Sequence, residues 1–229
     1  MKWYEKRLDN KVPSPLFKTE RRKAIPDFSM ESAEDMIICG IDEVGRAPLA
    51  GPVAAACVYV PPEKRSEPFW SQVRDSKVLS RKKRKFLSDC IRESCNFAIG
   101  EASVEEIEAL NIYHASLLAM KRAFSRLANT MKTEIHMALI DGNASPTLSC
   151  RSTTVIKGDT VSASIAAAAI VAKVHRDMLM CGLHENFSSY GWDRNAGYPT
   201  PNHIAAIKIH GITRHHRKTF GTVREQSLL

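Results

Sequence analysis

The sequence predicts an α/β domain with a mixed central β-sheet flanked by helices. Two observations predict it. Short apolar runs of strand length, MIICGIDEVG from Met36 and AGPVAAACVYVPP from Ala50, come first and are bounded by turn residues. Further runs of that kind then alternate with longer stretches whose apolar residues recur at helical spacing. At 229 residues the chain suits one domain with a buried core and an appended segment. Residues 1–35, charged and interrupted by Pro13, Pro15 and Pro26, read as a basic N-terminal extension. Residues 36–222 then form the domain, and 223–229 a C-terminal tail.

The first strand closes on Asp42-Glu43, and the second is stopped by Pro61-Pro62. Ser80 opens a basic helix, SRKKRKFLSDCIRES, with Phe86, Leu87, Cys90 and Ile91 on one face. NFAIGEAS from Asn96 is a third strand. Ser103 and Glu106 have the spacing of a capping box that opens a short helix. A longer helix follows from about Asn111 to Ala128, striped by Leu117, Met120, Phe124 and Leu127. HMALIDG and TTVIKGD are the fourth and fifth strands, ending on Asp141 and Asp159. An Ala-rich helix runs from Ser162 to about Met180, small enough on one face to lie close to a sheet. Thr200-Pro201 starts another, with a capping hydroxyl and Pro in the first turn.

Strands ending on acids are the chemically informative feature. A carboxylate that closes an apolar strand sits at the edge of the core, where its charge is costly unless something pairs with it. Turns favour Asp, which accounts for any one of these acids alone. Asp42, Glu43, Asp141 and Asp159 on strands lying side by side would instead repel one another unless divalent cations neutralise them. Oxygen-only ligands suit Mg²⁺ or Mn²⁺ rather than zinc. A pair of such ions can activate water and stabilise a leaving oxygen in phosphodiester cleavage. Neighbours on a regular strand point to opposite faces, so Asp42 and Glu43 reach one site only if the strand ends or bulges there.

Composition narrows the partners. The net charge of +8 favours a polyanion, because each cation that meets a phosphate releases counterions. The six cysteines form no C-x-x-C pair and no zinc-like spacing, and several lie in apolar runs, as buried thiols of a reducing compartment do. MKWYEKRLDNK lacks the apolar core of a signal peptide, and the longest apolar runs are too short to span a bilayer. A cytoplasmic protein without membrane association is expected.

Several long motifs carry a resemblance. GIDEVGRAPLAGPVAAA at 40–56, DSKVLSRKKR at 75–84, LIDGN at 139–143, KGDTVSASIAAAAIVAKVHRD at 157–177, NAGYPTPNHIAAI at 195–207 and HHRKTF at 215–220 closely resemble ribonuclease HII, in that family's order. The resemblance covers roughly residues 37–221. It implies a ribonuclease H-like fold and an endoribonuclease acting on RNA–DNA hybrids and on single ribonucleotides in duplex DNA. Asp42, Glu43, Asp141 and Asp159 would be its catalytic acids and hold two Mg²⁺ or Mn²⁺ ions. Attack on the 5′ side of a ribonucleotide would leave 3′-hydroxyl and 5′-phosphate ends. Tyr198 matches the family tyrosine that stacks on the sugar beside the ribonucleotide. Gly45-Arg46-Ala47 matches the loop whose backbone senses the 2′-hydroxyl, the group that distinguishes RNA from DNA.

Two positions depart from the family pattern. Ala47 stands where Gly is usual, and a positive φ there would cost an alanine about 1 kcal/mol. Ala169 stands within AAAAI where AAASI is usual, and a packing effect is expected there. Lys77 and Lys157, beside motif acids, are candidates for contacts near the site. The run Arg81–Lys85 reads as a phosphate-contacting stripe or a solvated helix face. Arg214–Lys218 form a second basic patch open to the same two readings. His203 and Asp177 read as structural, Asp177 as one half of an ion pair. No obligate protein partner is implied, and a monomer is the simplest assembly. A binding protein that kept the fold without catalysis, and a relative of ribonuclease HIII type, are the alternative functions.

Overall fold

The structure, a computed structural model, describes residues 25–33 and 35–226; residues 1–24 of the expected extension and 227–229 of the expected tail lie outside it. Five strands form one mixed sheet in the order β3-β2-β1-β4-β5. They are β1 (Ile38–Val44), β2 (Val53–Tyr59), β3 (Asn96–Ala102), β4 (Met137–Asp141) and β5 (Arg151–Val155). The first three are an antiparallel meander, while β4 and β5 run parallel to β1. The helices are α1 (Arg81–Ser94), α2 (Val104–Met131), α3 (Ala163–Asn186), α4 (Trp192–Asn195), α5 (Pro201–His210) and α6 (Gly221–Gln226). The predicted α/β architecture is present.

Helix starts follow the predicted chemistry. The Ser80 hydroxyl accepts from Lys83 N and caps α1. Ser103 and Glu106 form both halves of the capping box. The helix α2 is broken at Asn111 (φ 64°, ψ 166°), whose Oδ1 accepts from Tyr113 N and His114 N. The short and the longer helix expected from the sequence are therefore both there, joined end to end, with Asn111 capping the second. The Thr200 hydroxyl caps α5 ahead of Pro201.

Alternation along the strands sorts the core into two layers. Cys39, Ile41, Val53, Ala55 and Cys57 face α2, meeting Ala115, Ala119, Met120, Phe124 and Leu127. Ala56 and Val58 face α3 and α1, meeting Leu87, Ile91 and the Ala166–Ala168 run. Small residues are required at this second interface. A Cβ at Gly40 would lie 2.2 Å from the backbone carbon of Ser164, so strand and helix touch main chain to main chain. Ala169 is buried in the same helix, as a packing role requires. A third cluster surrounds Trp192, with Tyr190, Met180, Leu49 and Ile207, and ties the C-terminal helices to α3.

Several boundaries differ from expectation. β5 stops at Val155, and Asp159 lies beyond it in a 3-10 turn (Gly158–Thr160), after Lys157 in the left-handed region at φ 56°. Gly158 N donates to Asp141 Oδ1 and Ser162 N to Gly158 O, which curls the chain into α3. β1 neither ends nor bulges at Asp42-Glu43; both pair in register with β2, opposite Ala56 and Ala55. α3 continues past Met180 to Asn186 because Met180 and Leu183 pack into the cluster around Trp192. The packed unit also starts before residue 36: Asp27 bridges to Ser162, and Glu31 is buried. It extends past 222 as well, since Val223 in α6 is fully buried.

Candidate active site

β1 and β4 pair from Ile38 to Ile41, and the ladder opens there, so Asp42 and Asp141 lie beside each other where the two strands part. Asp42 and Asp141 lie on the α3 side of the sheet, as Gly40 and Leu139 do. Asp159 comes to the same side from the turn that enters α3. Glu43 takes the other side and lines a small cleft with Arg46, Asp141 and, from α2, Tyr113, Ser116 and Met120. The adjacent carboxylates thus straddle the sheet's end, and no distortion of β1 is needed to place them.

Burial and mutual repulsion raise the pKa values of Asp42, Glu43 and Asp159. Asp42 is 8% exposed, and burial, then Glu43, Asp141 and Asp159, push its carboxyl well above the ordinary range. A hydrogen bond from Glu43 N, 2.6 Å from Asp42 Oδ1, opposes this. Burial also raises Glu43; Arg46, 3.4 Å away, pulls it back, and Asp141 raises it. Asp159 is pushed up to about 6 by burial, by Asp141 and by Asp75, which also shares a hydrogen bond with it. Asp75 of the DSK motif was not singled out in the sequence, although it closes this side of the cluster. Lys77 lies in the field of the same acids: partial burial lowers its amine, but Asp159, Asp75, Asp42 and Asp141 together raise it.

The loop after β1 is shaped from behind by two buried arginines. Arg217 donates to the carbonyls of Gly45 (2.6 Å), Arg46 (3.0 Å) and Gly51 (2.9 Å). Arg176 donates to those of Pro52, Ala196 and Ala50, each at 2.9 Å. Burial lowers both guanidiniums, to about 9 for Arg217 and about 10 for Arg176. Gly45 has φ 94°, and a Cβ there would meet Arg176 Nε at 2.2 Å, so glycine is needed on both counts. Ala47 is exposed and is not among the residues with positive φ, so no backbone strain attaches to the alanine.

Tyr198 stands on a second cleft with Arg81, Lys173, Arg194 and Asn195, its ring 36% exposed and 5.8 Å from Lys173 Nζ. Its carbonyl is held by His203 Nδ1 at 2.9 Å. His203 Nε2 in turn meets Trp192 Nε1 at 3.0 Å and His216 Nε2 at 3.2 Å. His203 is therefore structural, as expected. His216 and Arg217 are fully buried, so two of the five residues of the basic patch at 214–218 are internal bracing. In the α1 run, Arg84 pairs with Asp177 at 3.2 Å and binds the carbonyls of Ser76 and Leu79. Asp177 also takes Lys173, and is the structural ion-pair acid that was expected. Arg81, Lys82 and Lys85 border an open groove on that side. Lys157 supplies the left-handed residue before Gly158, with its side chain exposed.

The donor set fits a divalent hard cation: oxygen ligands only, gathered at one buried sheet end and raised by one another's charge. Asp42, Glu43 and Asp141 are each turned to a donor, and among the described residues no three His, Cys, Asp or Glu side chains share one metal-holding point. A mixed sheet of this order with carboxylates gathered at its end suits metal-dependent phosphodiester chemistry.

The particular family follows from likeness to known proteins. The model of the family described as Ribonuclease HII matches residues 39–223. A ribonuclease HII of Paramagnetospirillum magneticum is 45% identical over 204 residues, spanning 89% of this chain and 100% of that one. The ribonuclease HII in a PCNA complex from Archaeoglobus fulgidus superposes with a TM-score of 0.65 at 25% identity, over 81% of this chain and 96% of that one. Bst-RNase HIII in complex with Mn²⁺ shares the fold at a TM-score of 0.67 and 18% identity, over 84% and 70% of the two chains. The chain belongs to the ribonuclease HII family.

Proposed function

We propose that this endoribonuclease hydrolyses the RNA strand of RNA–DNA hybrids and nicks duplex DNA on the 5′ side of a single ribonucleotide. The products carry 3′-hydroxyl and 5′-phosphate ends. The observation that carries the reading is the gathering of Asp42, Asp141 and Asp159 on one side of the sheet's end, with Glu43 behind them. These four would hold two Mg²⁺ or Mn²⁺ ions. When bound, such ions supply positive charge that lowers the pKa of water and stabilises the leaving oxygen.

The chain's own groups supply position. Asp75 and Lys77 border Asp159, and Lys77 presents a cation where a phosphate next to the scissile one would lie. Gly45, Arg46 and Ala47 form the loop that meets the 2′-hydroxyl, with its main chain fixed by Arg217 and Arg176. The half-exposed ring of Tyr198 offers a stacking surface for the neighbouring sugar. Lys157 lies beside the turn that carries Asp159 and contributes charge to the same rim.

The test is cleavage of a labelled DNA duplex with one ribonucleotide, with Mg²⁺ or Mn²⁺, mapping the cut. A nick 5′ to the ribonucleotide, absent from all-DNA duplex and abolished by EDTA, is expected. Cleavage of long hybrids alone would keep the nuclease and remove junction sensing. Cleavage of neither would favour a binding protein that retains the fold.

A further inference from the structure

The segment ahead of the family-matched span ends on a buried carboxylate that the chemistry above does not use. Glu31 is 1% exposed, and its Oε1 accepts from Ser162 Oγ (2.6 Å), Ser164 N (3.0 Å) and Ser164 Oγ (2.5 Å). Its Oε2 is buried, with no hydrogen-bond partner among the described residues. A buried carboxylate is costly, and among the described residues no lysine or arginine side chain pairs with this one. What meets it is the first turn of α3, where free amides and the helix dipole favour negative charge. Two main-chain bonds run alongside: Asp27 N to Val161 O at 3.1 Å, and Ala163 N to Asp27 O at 2.8 Å. Phe28 packs edge-on against Trp70, and Arg65 binds the Glu31 carbonyl, which anchors the segment at its other side.

The Asp27 main-chain bonds and the Glu31 carboxylate bonds all land on residues 161–164, directly after the turn that carries Asp159. Ser162 is the pivot: its hydroxyl caps α3 through Ile165 N, and its own N donates to Gly158 O at 2.8 Å. On the opposite side the turn is held by Gly158 N to Asp141 Oδ1 and by the hydrogen bond Asp159 shares with Asp75. Asp141 is itself a proposed metal ligand, so that hold changes when its carboxylate is engaged.

We propose that Glu31 is a positioning residue that locks Ser162 and Ser164, so that the Gly158–Thr160 turn presents Asp159 to the divalent ion. The inference rests on the reading of Asp159 as a metal ligand. Glu31 acts on ion affinity and leaves substrate binding alone.

The experiment titrates Mn²⁺ into the full chain without substrate, reading the melting midpoint, and repeats the titration with hybrid cleavage as the readout. The variants are Glu31→Ala, Glu31→Gln, Asp159→Asn and, as a core control on α1, Leu87→Ala. In Glu31→Ala the half-saturating Mn²⁺ rises about tenfold in both readouts, as for groups that orient metal ligands, while KM for the hybrid is unchanged. Glu31→Gln, which keeps one acceptor oxygen, rises less. Leu87→Ala lowers the midpoint in EDTA and leaves half-saturation where it was. If Glu31→Ala and Glu31→Gln behave like Leu87→Ala, Glu31 only stabilises the fold and the proposal is overturned. If Glu31→Ala does not fold, Glu31→Gln decides alone. If Asp159→Asn leaves the Mn²⁺ response intact, the underlying reading of Asp159 fails instead.

Discussion

At the scale of single residues the carboxylates set the behaviour. Asp42→Asn should lower cleavage more than about 100-fold with duplex affinity unchanged, measured by hybrid cleavage and by binding in Ca²⁺. Asp159 has a folded-state pKa of about 6 against an ordinary 3.8, so between those values the folded state holds the extra proton. Its contribution to stability is present at low pH and is lost as pH rises through about 6. Buried His216, lowered to about 3, acts in the opposite sense over the same range. The difference between wild type and Asp159→Asn isolates the acid: in EDTA the mutant should melt roughly 2–4 °C higher near neutral pH, about 1 kcal/mol at this length, and the gap should close in acid. Equal midpoints at neutral pH would mean that the repulsion is already relieved. Ala47→Gly should keep cleavage and melt slightly lower, because no positive φ rewards the glycine and the unfolded chain gains freedom. Asp42, Glu43, Asp141 and Asp159 were legible because acids after apolar runs are visible one by one. Asp75 was not, because its proximity to Asp159 exists only once α1's leading loop folds over the sheet's end.

At the scale of elements, capping and close approach decide the outcome. Ser80, Ser103 with Glu106, and Thr200 each announced a helix start, and each does cap one. Such signals are local, and so they survive in the sequence. The end of β5 was misplaced because what stops it, Gly158 N bonding to Asp141, joins residues 17 apart in sequence. The length of α3 was underestimated for a similar reason, since its last turns are stabilised by the cluster around Trp192. The contact between β1 and α3 gives a sharp prediction. Gly40→Ala puts a methyl 2.2 Å from Ser164 backbone, so it should cost about 3 kcal/mol or prevent folding, as denaturant unfolding would report. An alanine tolerated there without loss would mean that α3 can slide off the sheet.

At the scale of the whole molecule, the net charge of +8 and the open basic groove along α1 predict steep salt dependence of hybrid binding. Arg81→Ala and Lys82→Ala should each flatten that dependence, read from binding isotherms at several salt concentrations, with little change in kcat. Not every cation belongs to that surface. Arg217 stood in a basic patch in the sequence and Arg176 drew no reading, yet both are interior struts holding six main-chain carbonyls between them. Periodicity could not reveal this, because an arginine that binds carbonyls leaves no acidic partner in the sequence to betray it. The arrangement has a further consequence for how such a chain can change over time. The contour of the 45–52 loop is specified mainly by two residues more than a hundred positions downstream, so the loop's own letters are partly released from the task. Changes such as the alanine at 47 can then be accepted on the loop's exposed face while its shape is inherited from elsewhere.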